Sequence, residues 1–380
     1  MLTIKPCHQI IVILSGIILS FSNCQKDIRK NDESIQVTTA VESGPITLLN
    51  GNGWGLSFLS QKRSFLSAAA YGKKILFAGG RDNAGYFNTV DIYDIDNNSW
   101  SVQQLSQARY GMAAVAANNK IIFAGGSDNL PSNRVDIYDV TNNTWSTSAI
   151  SEARYALAGA AAGSKIVFAG GMSTVHSSRV DIYDLNNKTW TISHLSQPRI
   201  YMGAAATDRK IFFAGGYTGA QYSDRVDLYD VITNTWSAAH LSQARQGLAA
   251  AAVGNTVVFA GGEYRNSISG LLEYSKVVDI YDASTKTWSV GQLSEGRYLL
   301  TAAVIDKKIF FAGGKGGMHP SKTVDIYDVD KKTWSVAKLS QARYALASAA
   351  AGRKLMIGGG NSGGFFDDSK NLDVFELLRQ

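Results

Sequence analysis

Cysteine is nearly missing from this chain: two occur in 380 residues, Cys7 and Cys24, both within the first 24 positions. The long remainder has no thiol to form a disulfide, a zinc cluster or a cysteine nucleophile. Proline is equally scarce, at five against 37 glycines, so tight turns should be frequent. Charged residues make up 18%, too few for a disordered or supercharged chain, and the 45% that are apolar supply ample material for a core. The charge excess is small. With 37 Lys and Arg against 31 Asp and Glu the formal net charge is +6, which does not imply nucleic acid as a partner.

What is present first is a leader. Lys5 precedes an apolar run from Ile10 to Phe21, followed by Ser22, Asn23 and Cys24. A positive start followed by an apolar segment is the layout of a signal peptide. The run is shorter than the roughly twenty residues that a bilayer-spanning helix needs. Its end, FSNCQKD, resembles the lipobox of bacterial lipoproteins, with Cys24 as the lipidated residue; Asn23 and Phe21 depart from the residues usual there. The expectations are a signal peptide over 1–23, a polar tether over 24–50 and a folded body over 51–380. The protein would be exported to a bacterial outer membrane or cell surface, with a periplasm-facing placement as the alternative. The lipid would be the only membrane contact.

The body repeats itself. Doubled glycines fall at Gly79/Gly80, Gly125/Gly126, Gly170/Gly171, Gly215/Gly216, Gly261/Gly262, Gly313/Gly314 and Gly359/Gly360. Each is followed by VDIYD or a near copy, the last degraded to LDVFE. The seven tryptophans and the arginines that follow LSQA-like stretches share one set of spacings: 46, 45, 45, 46, 52 and 46. Within one unit, RYGMAAVAA, KIIFAGG, RVDIYDV and NTWSTSAI are short, rich in β-branched or aromatic residues, and separated by turn formers such as Asn118-Asn119. Each unit reads as a four-stranded antiparallel meander. One such sheet cannot bury both faces alone, so the units must stack into a ring, an all-β propeller of seven blades. The first strand of each unit is mostly Ala, Gly and Ser, as a crowded centre demands. Each tryptophan would bury roughly 150–250 Å² between sheets. Trp54 precedes the first arginine, whereas the last unit has no tryptophan strand. Seven complete blades result only if the segment near Gly53 to Leu59 finishes the last sheet and closes the ring.

The doubled glycine followed by a tyrosine, and by a tryptophan about seven residues later, resembles the kelch motif, and the resemblance covers 51–380. It implies a β-propeller of a kind found mostly in protein-binding or glycan-related domains and only sometimes in enzymes. Copper oxidases of the galactose oxidase type share the fold but need a cysteine crosslinked to a tyrosine, which this body does not have.

Alternating strands put two connections on each end of the ring. The loops from glycine pair to VDIYD share an end with the loops leading to the arginines, and this loop-rich end is the expected recognition surface. Its glycine-to-valine loops hold 9, 8, 8, 9, 15, 9 and 11 residues. The fifth carries Glu263, Tyr264, Arg265 and Tyr274, and the seventh Phe365, Phe366, Asp367 and Asp368. Arg63, Arg109, Arg154, Arg199, Arg245, Arg297 and Arg343 should ring the channel mouth, joined by Tyr110, Tyr155, Tyr298 and Tyr344. Such a set could grip a carboxylate or sulfate. The competing expectation is internal pairing, because Asp91, Asp136, Asp181, Asp227, Asp279, Asp325 and Asp373 sit at the same strand end. No metal site is expected: His176, His194, His240 and His319 lie on different units, and Asp94, Asp96 and Asn98 read as a hairpin turn. No cofactor is expected either. The function expected is a non-enzymatic scaffold, monomeric, that binds a protein or glycan across the loop-rich end. The alternative, implied by resemblance, is an enzyme like the kelch-type sialic acid epimerases, with Glu263 moving a proton.

Overall fold

A computed structural model describes residues 46–49, 53–364 and 367–378. The leader, Cys24, the tether as far as residue 45, and Phe365 and Phe366 lie outside the described residues. The described residues all belong to one compact unit, Val41–Gln380.

Seven sheets form the body, and the described residues contain no helix. In the first blade the strands Ser67–Tyr71, Lys74–Ala78, Thr89–Asp94 and Ser99–Gln104 pair in sequence order, all antiparallel. Five further blades repeat this meander. Strand identity follows side-chain size and the period of burial. The innermost strands, such as Ala249–Val253 and Ala158–Ala162, present alanines to their neighbours. The second strands, such as Lys210–Ala214, are buried at every position after the first and carry the bulk of the core, including the fully buried Phe77, Phe123 and Phe168.

Closure occurs where the tryptophan count requires it. Trp54–Phe58 pairs antiparallel with Asn371–Glu376, in the register Trp54 to Phe375 and Leu56 to Asp373. Trp54 packs on Phe375 at 5.3 Å between ring centroids and reaches Phe310 of the preceding blade at 6.4 Å. Seven core clusters result, one for each blade-to-blade interface, including the one closed by Trp54. The last blade also has a fifth, outer strand, Thr47–Leu49, paired with Trp54–Leu56. This strand falls within the stretch expected to be tether.

The tryptophans pack between the blades, one at each interface, as expected. They are half-buried, each leaning on the aromatic residue opposite it on the third strand; the pairs Tyr93–Trp100, Tyr183–Trp190 and Tyr327–Trp334 lie at 5.0, 4.9 and 4.8 Å. An outer strand has solvent on one side, so its indole covers the neighbouring blade with one face only.

Candidate functional site: the loop-rich end

The seven arginines are fully buried. Each holds the third-strand aspartate of its own blade: Arg63 to Asp91, Arg109 to Asp136, Arg154 to Asp181, Arg199 to Asp227, Arg245 to Asp279, Arg297 to Asp325 and Arg343 to Asp373. Most of the other guanidinium nitrogens bond the backbone; Nε of Arg63, Arg199 and Arg297 and Nη1 of Arg63 have no hydrogen-bond partner among the described residues. Arg154 Nη1 donates to the carbonyls of Gly170 and Arg179, both at 2.6 Å. The aspartate's second oxygen accepts the serine N–H of the approaching loop, as in Ser151 to Asp181 at 2.7 Å and Ser242 to Asp279 at 2.9 Å. The repeated serine, arginine, glycine and aspartate thus form one staple. Burial pulls the guanidinium of Arg199 down to about 10, and its nearness to Asp227 opposes that fall; it stays charged at neutral pH. Of the two expectations the structure shows internal pairing. The arginines lie beneath the surface, out of a ligand's reach.

The doubled glycine performs the matching task between blades. The first glycine adopts a left-handed conformation, φ +65° at Gly170, and a Cβ there would sit 2.4 Å from the carbonyl oxygen of Arg199 in the next blade. The second glycine donates its N–H to that same carbonyl, from Gly171 to Arg199 at 2.9 Å, and the series closes with Gly360 to Arg63 at 2.9 Å.

Above the arginines, the residue two positions after each one forms the channel mouth. These are Phe65, Gly111, Ala156, Tyr201, Gly247, Leu299 and Ala345, all with φ between 51° and 64°. Each donates its N–H to the carbonyl of its counterpart in the preceding blade, from Gly111 to Phe65 at 3.1 Å around to Phe65 to Ala345 at 2.9 Å. This closed belt of hydrogen bonds satisfies the backbone, so a ligand at the mouth meets side chains. They enclose a shallow cavity of about 230 Å³ lined by Phe65, Tyr110, Tyr155, Tyr201 and Leu299 among others. Burial raises the hydroxyl pKa of Tyr110, and Tyr201 is raised by burial and then by Tyr155 and Tyr110. Both phenols therefore stay protonated, able to donate and accept at neutral pH.

Two larger hollows flank the mouth. One, of about 670 Å³, lies between the fourth and fifth blades and is lined by Tyr217, Tyr222, Gln246, Arg265, Asn266 and Gly270. The lengthened fifth loop supplies its wall as a small hairpin, Glu263–Arg265 paired with Leu272–Tyr274. The next blade accommodates this loop through one substitution: Gly296 stands where other repeats carry Ala, Lys or Pro, and a Cβ there would lie 2.1 Å from the carbonyl oxygen of Tyr274. The other hollow, of about 430 Å³, lies among the first, sixth and seventh blades and is lined by Arg81, Asp82, Lys315, Tyr344, Asn361 and Asp368.

The remaining expected residues cluster around the fifth loop. Glu263 is 8% exposed and accepts a hydrogen bond from Gln246 at 2.5 Å. Tyr274 stacks near Tyr298 at 5.4 Å, and burial followed by the charge of Glu263 pushes Tyr298 up to about 12. Tyr264 donates to Glu273 at 2.5 Å, and Arg265 Nη1 holds the Gly270 carbonyl at 2.8 Å. Asp94 caps its turn by accepting from Asp96 N–H at 3.0 Å, the hairpin role expected of it. Among the described residues no three His, Cys, Asp or Glu gather as a metal-binding group.

The sequence reading missed Phe65, Arg81, Tyr201, Tyr217, Tyr222 and Lys315. A signal for some of them existed. The residue after each doubled glycine reads Arg81, Ser127, Met172, Tyr217, Glu263, Lys315 and Asn361, a varied position directly after a repeated one. Each bridges antiparallel to the residue after the buried arginine and so faces the mouth.

Comparison with known proteins agrees with this architecture. No curated protein matches the chain at a significant level. A solved structure titled "Structure of YjhT" superposes with a TM-score of 0.60 at 14% identity, covering 74% of this chain and 99% of that one, a likeness of fold. The family model described as the Attractin/LZTR1 beta-propeller matches residues 77–324. With that match spanning well over half of a chain whose seven blades carry the doubled glycine and its buried arginine, this protein belongs to the Attractin/LZTR1 family of kelch-type β-propellers.

Proposed function

We propose that the chain is a non-enzymatic recognition module that binds a protein or glycan across the loop-rich end of its propeller, exported and held at a bacterial envelope through lipidated Cys24. The observation that carries the reading is the hollow of about 670 Å³ whose wall is the one lengthened loop. It falls within the 300–1,000 Å³ usual for ligand sites. The loop is fitted into the ring: its hairpin is paired, and Gly296 gives it room. Tyr217 and Tyr222, with centroids 5.5 Å apart, offer aromatic area that costs little entropy to order, next to the amides of Gln221, Gln246 and Asn266.

The test is a thermal-shift screen of oligosaccharides and peptides on the intact chain and on a variant lacking residues 265–270. A ligand that raises Tm in the first and not in the second supports the reading. Ligands that act equally on both, and also on variants altered at Lys315 and Asp368 elsewhere on this end, contradict it.

A second reading, an enzyme that interconverts sugar anomers, is favoured by Glu263, a mostly buried carboxylate beside Tyr274 and Tyr298. Its test is proton NMR of anomer exchange with and without the protein; an unchanged rate eliminates it. The buried arginines weigh against it, since the carboxylate grip it needs would have to come from other residues.

A further inference from the structure

The hollow among the first, sixth and seventh blades lies apart from the lengthened loop and adjoins the channel mouth at Phe65, and its chemistry differs from both. Its lining mixes charges of both signs with open rings. Arg81 lies 5.0 Å from the centroid of Phe65 and 5.1 Å from that of Tyr110, so its guanidinium rests against two rings set edge to face. Lys315 Nζ lies 5.4 Å from the centroid of Tyr344. Among the described residues neither cation has a carboxylate partner within ion-pairing distance; ring faces hold both.

Two acids share the wall without neutralising them directly. Asp82 Oδ1 accepts the N–H of Ala84 at 2.7 Å, and Asp368 Oδ1 accepts from Asn361 Nδ2 at 3.3 Å. Among the described residues the second oxygen of each carboxylate has no hydrogen-bond partner. The charges of Arg81 and Lys315 are therefore balanced by those of Asp82 and Asp368. A bare anion such as sulfate or a carboxylate would gain from the cations and lose comparably to the acids. A ligand whose groups each donate and accept gains from both, and hydroxyls are such groups. Guanidinium and ammonium donate to them, carboxylates accept from them, and the ring of Tyr344 offers a flat apolar face to the C–H side of a sugar.

We infer that this hollow is a saccharide subsite, which binds a neutral sugar residue of an oligosaccharide. Arg81 and Lys315 donate to hydroxyl oxygens, Asp82 and Asp368 accept hydroxyl protons, and Tyr344 carries the ring. The inference rests on the reading of the loop-rich end as a recognition surface, and it adds ligand class and location. At about 430 Å³ the hollow has the volume of a small-ligand site.

The experiment is isothermal titration with linear oligomers of glucose, mannose, galactose, xylose and N-acetylglucosamine, together with sodium sulfate at matched ionic strength. The proteins are the wild type, Lys315→Ala, Asp368→Ala and, in the other hollow, Tyr217→Ala. Circular dichroism and Tm confirm that each variant is folded. The expected result is an oligosaccharide whose affinity drops at least about tenfold in both Lys315→Ala and Asp368→Ala, as loss of a hydrogen bond to a charged group should produce, holds in Tyr217→Ala, and is unaffected by sulfate. Binding that survives both pocket changes but falls in Tyr217→Ala overturns the inference and leaves the wider reading standing. Sulfate that displaces the sugar shows a bare-anion site, which also overturns it. Failure of every oligosaccharide to bind overturns it too, and the loop-deletion screen with peptides then decides the wider reading on its own.

Discussion

The two ends of each blade arise from one repeat and come out differently. At the hairpin end one solution predominates: the final aspartate of the third strand caps the turn into the outer strand in six blades, and in four of them it pairs with a lysine at the start of the second; in the fourth blade Arg209 takes the lysine's part, and in the fifth Thr256 stands at that place. Examples of the lysine pair are Lys74–Asp94 at 2.8 Å, Lys120–Asp139 at 3.1 Å and Lys165–Asp184 at 2.8 Å. The turn itself needs a left-handed residue, met by Asn98, Asn143, Lys188 and Asn234 with φ of 49–57°. At the loop-rich end the repeated residues withdraw beneath the surface as arginine–aspartate staples, and the exposed positions differ from blade to blade. The lesson is that identity is fixed where hydrogen bonds must close, and chemistry varies where the closed backbone asks for nothing more.

Breaking a staple should cost most. Arg154→Ala leaves Asp181 buried with its guanidinium partner gone and frees two carbonyls; equilibrium urea unfolding should show a loss of about 3–5 kcal/mol. The hairpin-end counterpart, Lys165→Ala, removes a pair nearer to solvent and should cost less than about 1 kcal/mol. Equal losses at the two ends would end the contrast.

Glycines should divide the same way. Gly170→Ala forces a Cβ to within 2.4 Å of a carbonyl oxygen in the next blade and should lower stability by about 2–3 kcal/mol. Gly254→Ala, at φ +53° in a hairpin turn with nothing within 4 Å, carries backbone strain alone and should cost about 1 kcal/mol. Gly296→Ala should act differently again. It displaces the fifth loop, so amide exchange at Glu263–Arg265 should speed up while exchange in the neighbouring core strands stays slow.

The smallest effect is a pH dependence at the hairpin end. Hydrogen bonding from Lys74 holds the carboxyl of Asp94 below its usual range, despite burial that opposes it. A group depressed in the folded state binds its proton more readily when unfolded. The stabilisation is therefore complete above the unfolded value of 3.8 and is lost as pH falls through the lower folded value. Lys74→Ala should remove less than about 1 kcal/mol at pH 7 and correspondingly less at the acid end of a pH–Tm series.

Much of this was legible from residue order. Seven tryptophans with the first ahead of the first arginine, and a last repeat without one, required the pairing of Trp54–Phe58 with Asn371–Glu376. The doubled glycines announced positive φ, and the aligned arginines and aspartates left their pairing open as one of two expectations. The belt at the mouth was hidden, because Phe65, Tyr201 and Leu299 take left-handed conformations that nothing local in their sequence demands. Tertiary hydrogen bonds between blades impose them. The hollow that joins Arg81, Lys315 and Asp368 was hidden for a related reason: its walls come from loops far apart in the chain that meet only once the circle is complete. The outer strand Thr47–Leu49 lies inside the expected tether, because its three residues are too few to read as a strand until Trp54–Phe58 offers them an edge.

The central claim is that recognition sits at the varied, loop-rich end, above its buried staples, and not at the hairpin end. It is tested most directly by one thermal-shift comparison using the oligosaccharide and peptide panel. Three proteins enter it: the wild type, a loop-end variant lacking 265–270 and carrying Lys315→Ala, and a hairpin-end variant with Lys120, Lys165 and Lys308 changed to alanine. The account predicts a ligand-dependent rise in Tm that persists in the hairpin-end variant and disappears in the loop-end one. A rise that persists without the loop and vanishes with the hairpin lysines would contradict it.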